Sequence, residues 1–258
     1  MEADAAAGTV EALYRFPVKG LSPEPLDSVT LTAGRGFPAD RLFGFLRHGE
    51  DFDEAHPAPR PKTCFHMLAR DGTLARLATR YDDAGDALTI DGTRHALATP
   101  EGRADAEAAI AAALGLASSE RPRLVRGGAH RFTDVSVRSP TFMNAVSLIN
   151  LASVRDLGER IGKPVDPLRF RGNIVFDGWP AWHELSLVDR TVTAGSVTLR
   201  ILLRTRRCAA TTVDPKTGVN DIFVPRHLNE FFGHADCGIY AEVVEGGTLS
   251  PGERIAVA

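Results

Sequence analysis

The last third of the chain sets the tightest limit on its fold. From Arg169 onward, short runs rich in Val, Ile, Leu and Thr follow one another at 170–176, 191–193, 196–203, 239–244 and 254–257, with glycine-rich turns between them. Runs of that length and composition read as β-strands. One helix signal interrupts them, with Pro225 at its first position and Gly233 past its end. There is no strand-helix-strand repetition and no phosphate-binding glycine fingerprint. The fold class expected is therefore mainly β with helices (α+β), in about two barrel-like units.

The earlier part of the chain supplies the first of these units. Strand patterns at 10–16, 26–32 and 42–46 are punctuated by Pro17 and Gly20, by Gly34 and Gly36, and by the Asp40-Arg41 pair. Residues 48–62 lose the apolar pattern and gain acids, histidines and prolines, which predicts a long loop, either a disordered segment or a lid over a site. Residues 74–81 have helical spacing, and Asp91-Gly92 is a hairpin signal. The clearest helix is 101–116, alanine-rich, with acids in its first turns and Gly115 near its end. A strand at 145–149 leads to Asn150 as N-cap of a helix over 151–161, which Gly162 stops. The organisation predicted is a disordered leader at 1–8, a β-barrel domain at 9–98, a helix and crossover segment at 99–143, and a second β-barrel domain at 144–258.

Composition narrows the function. A net charge of −3 over 258 residues is too small for bulk attraction to nucleic acid or an anionic membrane, so any anion site is local. The three cysteines, Cys64, Cys208 and Cys237, are odd in number and far apart, which fits a reducing compartment rather than a disulfide framework. No CxxC signals zinc, and an iron-sulfur cluster needs about four thiolates. The first eight residues lack the basic start and apolar core of a signal peptide. No apolar run reaches the roughly 20 residues of a membrane span. A cytoplasmic protein without nucleic-acid or membrane partners is expected.

The chemistry concentrates at 204–218, which reads RTRRCAATTVDPKTG. Cys208 follows Arg206 and Arg207 at the end of a strand pattern, and nearby positive charge favours the thiolate that serves as nucleophile or metal ligand. A small buried hydrophobe is the competing reading of the same thiol. Three basic spots also stand at strand ends: Lys19 in Pro-Val-Lys-Gly, Arg41 after Asp40, and Arg171 in Arg-Phe-Arg-Gly-Asn. Arg grips phosphate oxygens bidentately and Lys supplies a point charge, so their convergence would suit a phosphorylated ligand. Asn173 offers the donor and acceptor that a heterocycle edge needs. His227 and His234 match no familiar zinc pair and read as structural, Trp179, Trp182, His183 and Glu184 as packing between sheets or, second, a substrate wall, and Cys64 and Cys237 as core.

Taken together, LYRFPVKG, FRGNIV, RCAATTVDPKTG and FGHADCGIYAEVV, in that order over nearly the whole chain, resemble a MOSC protein. In such proteins an N-terminal MOSC β-barrel domain precedes the domain shared with the C-terminal part of molybdenum cofactor sulfurase, and both parts resemble the amidoxime-reducing components. The resemblance implies that Cys208 ligates molybdenum, with Arg207 beside it. It implies that Lys19, Arg41, Arg171 and Asn173 bind the cofactor, and it extends cofactor contacts to Asn144, Arg206, Thr211, Thr212 and Asp214. The chain departs from the pattern at Gly20 and Arg206, each where Ser is common, around Asn144, where a Thr-Ser pair is missing, and at 61–65. Such departures are those of a distinct branch.

The function that follows from the resemblance is a molybdenum-cofactor (molybdopterin) oxidoreductase that reduces an N-oxygenated small molecule. The chain has no room for an iron-sulfur or flavin module, so electrons come from a separate donor, a cytochrome, ferredoxin or flavin reductase. A carrier of sulfur or of the cofactor, acting through a Cys208 persulfide, is the second reading, since thiolate nucleophilicity supports it equally. A barrel without cofactor is the third.

Overall fold

A computed structural model describes residues 7–133 and 139–258. The N-terminal half contributes β1 (Ala7–Arg15), β2 (Glu24–Leu26), β3 (Val29–Leu31), β4 (Phe43–Leu46), β5 (Thr79–Asp82), β6 (Ala87–Ile90), β7 (Thr93–Ala96), α1 (Pro100–Leu114) and β8 (Arg123–Arg126). There follow α2 (Pro140–Met143), β9 (Val146–Asn150), α3 (Leu151–Ile161), β10 (Ile174–Asp177), β11 (Thr191–Ala194) and β12 (Val197–Arg206). The chain ends with α4 (Val224–Phe232), β13 (Asp236–Glu245), β14 (Gly247–Leu249) and β15 (Arg254–Val257).

Seven strands close a barrel in the order β10, β9, β13, β12, β11, β15, β1, with β1 returning antiparallel to β10. Each neighbour is antiparallel except β9 and β10, whose parallel pairing needs a crossover, and α3 provides it. The longest strands, β12 and β13, carry three register shifts along their ladder, the device by which a sheet bends into a barrel. Alternation points Val192, Leu199, Ile201, Ile239, Ala241 and Ile255 into a dry interior. Each such Leu or Ile contributes about 1.5 to 3 kcal/mol by leaving water.

The mainly β architecture with a closed barrel matches the sequence expectation, and its strands are shared differently. β1 lies within the predicted N-terminal domain yet pairs with β10 and β15, so the predicted division at 98/99 and 143/144 crosses one barrel. Among the described residues β2 extends the barrel sheet beside β1 and β3 pairs with β14 over the barrel core, while β4 with β8 and β5-β6-β7 form small sheets over a second core that includes Val18, Phe43, Phe45, Leu88 and Ile110. Residues 7 and 8 of the predicted leader belong to β1, and residues 1–6 lie outside the described residues. The predicted crossover includes 134–138, also outside them, and contains the short α2.

Local departures have local causes. The strand expected over 26–32 breaks into β2 and β3 at Asp27 and Ser28. The helix expected over 74–81 is a 3-10 turn at Gly72–Arg76 followed by β5. Leu74, Leu77 and Tyr81 are all buried at helical spacing, but Tyr81 faces inward from a strand paired with β6. The strand expected from Phe170 starts only at Ile174, because Arg171 takes a left-handed conformation at φ 52°. Elsewhere the signals hold. Asp91 and Gly92 both have positive φ in the turn between β6 and β7, Thr99 caps α1 at the Gly102 N–H, and Asn150 caps α3 at the Ala152 N–H. Among the described residues no helix is long and apolar enough to cross a membrane.

Candidate functional site

β12 carries the chain out of the barrel to Cys208. Along its end Thr205 and Arg207 are buried while Arg204 and Arg206 are exposed, as strand alternation requires. Cys208 then stands in extended backbone before a 3-10 turn at Ala209–Thr212, and its carbonyl accepts from both the N–H (3.1 Å) and the Oγ1 (2.9 Å) of Thr211. The thiol is half-exposed, unlike those of Cys64 and Cys237, which are buried.

Arg169 fastens the loop that follows. Its Nη1 donates to the Thr212 carbonyl at 3.0 Å, and its Nη2 pairs with Asp214 at 3.1 Å and Asp221 at 2.7 Å. Asp214 in turn accepts from the N–H groups of Lys216 (2.9 Å) and Thr217 (2.7 Å) and from the Thr217 hydroxyl. Partial burial works to raise the pKa of its carboxyl, but these hydrogen bonds and Arg169 outweigh it and hold the group below the usual carboxylate range.

Arg207 is buried beside the thiol. Its Nε donates to the Cys237 carbonyl at 2.7 Å and its Nη1 to the Phe170 carbonyl at 2.8 Å, while Nη2 is buried without a hydrogen-bond partner among the described residues. Burial pushes its pKa down, and an unsatisfied buried charge of this kind is costly unless an anion meets it.

Two further cations converge on the ring of Phe16, just past β1. The Arg41 guanidinium lies 4.9 Å and that of Arg171 4.2 Å from its centroid. Arg41 also pairs with Asp40 and donates to the Arg171 carbonyl at 3.1 Å, and Arg171 donates to the Leu21 carbonyl at 2.6 Å. Both residues hold positive φ, 51° and 52°, a conformation costly for a bulky side chain and often concentrated where function needs it. Gly172 between Arg171 and Asn173 is required by space, since a Cβ there would lie 2.4 Å from Ile149. Lys19 donates to the Phe132 carbonyl at 3.1 Å.

These groups line one cavity of about 420 Å³ between the end of β12, the approach to β10 and the end of β1. Of the residues singled out in the sequence, Lys19, Arg41, Arg171, Asn173, Arg206, Arg207, Cys208 and Thr211 are in its wall. Asn144, Thr212 and Asp214 are not. Asn144 accepts from the Gly36 N–H and donates to the Pro140 carbonyl, and Thr212 and Asp214 hold the loop through Arg169. Asn173 lines the wall, but its side chain accepts from the Ser147 N–H and donates to the Tyr14 carbonyl and to Asp40. It ties three segments together rather than presenting an open edge to a ligand.

Sequence reasoning gave no role to Thr205 or Tyr240 and named Arg169 only as the start of the Arg-Phe-Arg-Gly-Asn basic spot; all three also line the cavity. For Arg169 the usable signal was two acids, Asp214 and Asp221, in a loop with one lysine, Lys216, to match them. The loop at 48–62 is pinned by Arg103 to Glu54 and by Arg123 to Asp51, with Phe52 buried against Phe65 and Phe132, so it is anchored rather than a free lid.

Mitochondrial amidoxime-reducing component 1 of Mus musculus is 27% identical over 239 residues, covering 83% of this chain and 68% of that protein. Its Homo sapiens counterpart is 29% identical over 238 residues, covering 82% and 68%. The crystal structure of the YuaD protein from Bacillus subtilis aligns over 98% of this chain and 96% of its own at 15% identity, with a TM-score of 0.46. Residues 127–256, half of the chain, match the MOSC domain, and the protein belongs to the MOSC family.

Proposed function

We propose that the cavity binds a molybdenum-pterin cofactor, with Cys208 as the protein's thiolate ligand to the metal, and that the protein reduces an N-hydroxylated small molecule. The observation that carries this reading is the half-exposed Cys208 opening on a cavity beside Arg207, whose buried Nη2 lacks a partner among the described residues. A soft thiolate suits a metal whose remaining ligands arrive with a sulfur-bearing cofactor, and an orphan guanidinium suits that cofactor's phosphate. The name of the mitochondrial relatives, amidoxime-reducing component, supplies the substrate class.

When bound, the cofactor supplies two-electron redox chemistry at a site open to substrate. The residues do the rest. Arg207, Arg171, Arg41 and Lys19 hold the anionic end, Arg169 keeps the Cys208 loop in register, and Met67, Leu68 and Leu203 give the cavity apolar wall that excludes water. The net reaction breaks the N–O bond: an N-hydroxy group, two electrons and two protons give the N–H compound and water. The electrons come from a separate flavin, haem or iron-sulfur protein. Three free thiols suit a reducing compartment for this activity.

The test is metal and pterin analysis of protein purified from a cofactor-producing host, followed by reduction of N-hydroxybenzamidine with a chemically reduced viologen as donor. Molybdenum and pterin near one equivalent are expected, with activity lost in Cys208→Ser while the melting temperature is kept. Full activity in Cys208→Ser would remove the thiolate from the mechanism. Sulfane sulfur on Cys208 without molybdenum would make the protein a sulfur carrier instead.

A further inference from the structure

The cavity is more cationic than one phosphate group requires. Among the described residues eight of those lining it are Lys or Arg, and none is Asp or Glu. Several of these charges are already engaged. Arg41 pairs with Asp40, Arg169 with Asp214 and Asp221, and Arg204 donates to the Leu185 carbonyl at 2.7 Å.

Arg206 differs from its neighbours. It is on the exposed side of β12, lines the cavity two residues before Cys208, and its side chain makes no hydrogen bond or ion pair with any described residue. Its register partner on β13, Asp236, forms no ion pair with it either. The buried Arg207 next in sequence alternates to the opposite side of the strand, so the two arginines address different parts of the cavity. A guanidinium that is unpaired, hydrated and placed at the rim of an acid-free cavity stabilises a ligand that brings its own negative charge. Its planar fork matches a carboxylate through two parallel hydrogen bonds.

We propose that Arg206 is a specificity residue that receives a carboxylate on the substrate, so that the preferred substrates are N-hydroxylated compounds carrying an anionic group rather than neutral ones. The substrate chemistry rests on the reading of Cys208 as the reducing centre, whereas the anion preference rests on the cavity alone.

The experiment uses the cofactor-loaded protein and two probes, N-hydroxybenzamidine and its 4-carboxylate analogue, with equilibrium binding by calorimetry measured beside kcat/KM. Because Arg206 is exposed and water screens it, a preference of about 1.5-fold to 5-fold for the carboxylate probe is expected. Arg206→Gln should bring that ratio close to one through KM and through the binding constant, Arg206→Lys should keep part of it, and added salt should lower it in the wild type. Pterin content in Arg206→Gln should stay at the wild-type level. A ratio unchanged by Arg206→Gln overturns the proposal, and so does loss of pterin in that variant, which would make Arg206 a cofactor contact. If the carboxylate probe binds preferentially through Arg206 but neither probe is reduced, the anion preference stands and the reductase reading fails.

Discussion

Arg169 and Asp214, 45 residues apart in sequence, meet at 3.1 Å beneath the loop that carries Cys208, and the arginine side chain is only 2% exposed. The pair fixes where the thiol stands, because the same guanidinium also holds the Thr212 carbonyl and Asp221. Arg169→Met should cost about 2 to 4 kcal/mol in urea unfolding, below the cost of leaving a fully buried charge, since Asp214 and Asp221 can rehydrate. The native-state rate of Cys208 alkylation should rise at the same time. A variant as stable as the wild type with unchanged alkylation would show that the loop holds itself.

That carboxyl also sets an acid limit. Asp214 sits below its ordinary value of 3.8, so its contribution to stability is present above that value and is lost as pH falls through the lowered one. Asp214→Asn should therefore be destabilising at pH 7 and progressively less so, relative to the wild type, as unfolding is followed below pH 4. A difference that grows toward acid would contradict the assignment.

The three thiols should separate chemically. Burial pushes the Cys237 thiol up to about 12 and raises that of Cys64, whereas Cys208 is half-exposed at the cavity. Cofactor-free protein treated with iodoacetamide at pH 8 should be modified at Cys208 first, with Cys64 and Cys237 reacting only on denaturation, as read by mass spectrometry of peptides. Equal labelling of Cys237 would mean that its packing opens readily.

What the sequence revealed and what it hid divide along contact distance. The Cys208 motif was legible because its signals are local: a strand pattern, two arginines and a turn within 15 residues. The closure of the barrel was not, since β1 pairs with β10 and β15 from the far end of the chain, and nothing within a strand names its partner. The partners of Asn173 were hidden for the same reason. Its type suits a ligand edge, but Ser147, Tyr14 and Asp40, brought together only by folding, occupy its polar atoms. Residues 74–81 kept helical spacing because both a helix and a turn-then-strand can bury Leu74, Leu77 and Tyr81.

The cations from the two halves of the chain should matter together. Charge-assisted contacts contribute about 1.5 to 3 kcal/mol, so Lys19→Ala or Arg171→Ala should each weaken pterin retention by roughly 10-fold to 150-fold. Loss is read after extended dialysis. If both variants keep wild-type pterin, the phosphate lies elsewhere. If only Arg171→Ala loses it, the end of the cavity near Lys19 serves substrate access instead.

Glu184 offers a test of the barrel's own electrostatics, away from the cavity. It is fully buried, accepting from Asn150 Nδ2 at 3.0 Å and from the Ser153 hydroxyl at 2.8 Å, and so joins the end of β9 and the first turn of α3 to the 3-10 turn at His183–Ser186. Burial raises its pKa above the ordinary 4.5, and the hydrogen bonds only partly oppose the rise. A carboxyl raised in the folded state binds its proton more tightly there than in the unfolded chain, so its contribution is largest below 4.5 and declines as pH rises past that value. Glu184→Gln cannot titrate. It should lose a roughly constant 1 to 3 kcal/mol for the missing acceptor, whatever the pH. The wild-type advantage over the variant, taken from urea midpoints between pH 4 and pH 8, should therefore shrink as pH rises. An advantage that grows with pH would mean that the carboxylate, rather than the carboxylic acid, is the form this pocket prefers.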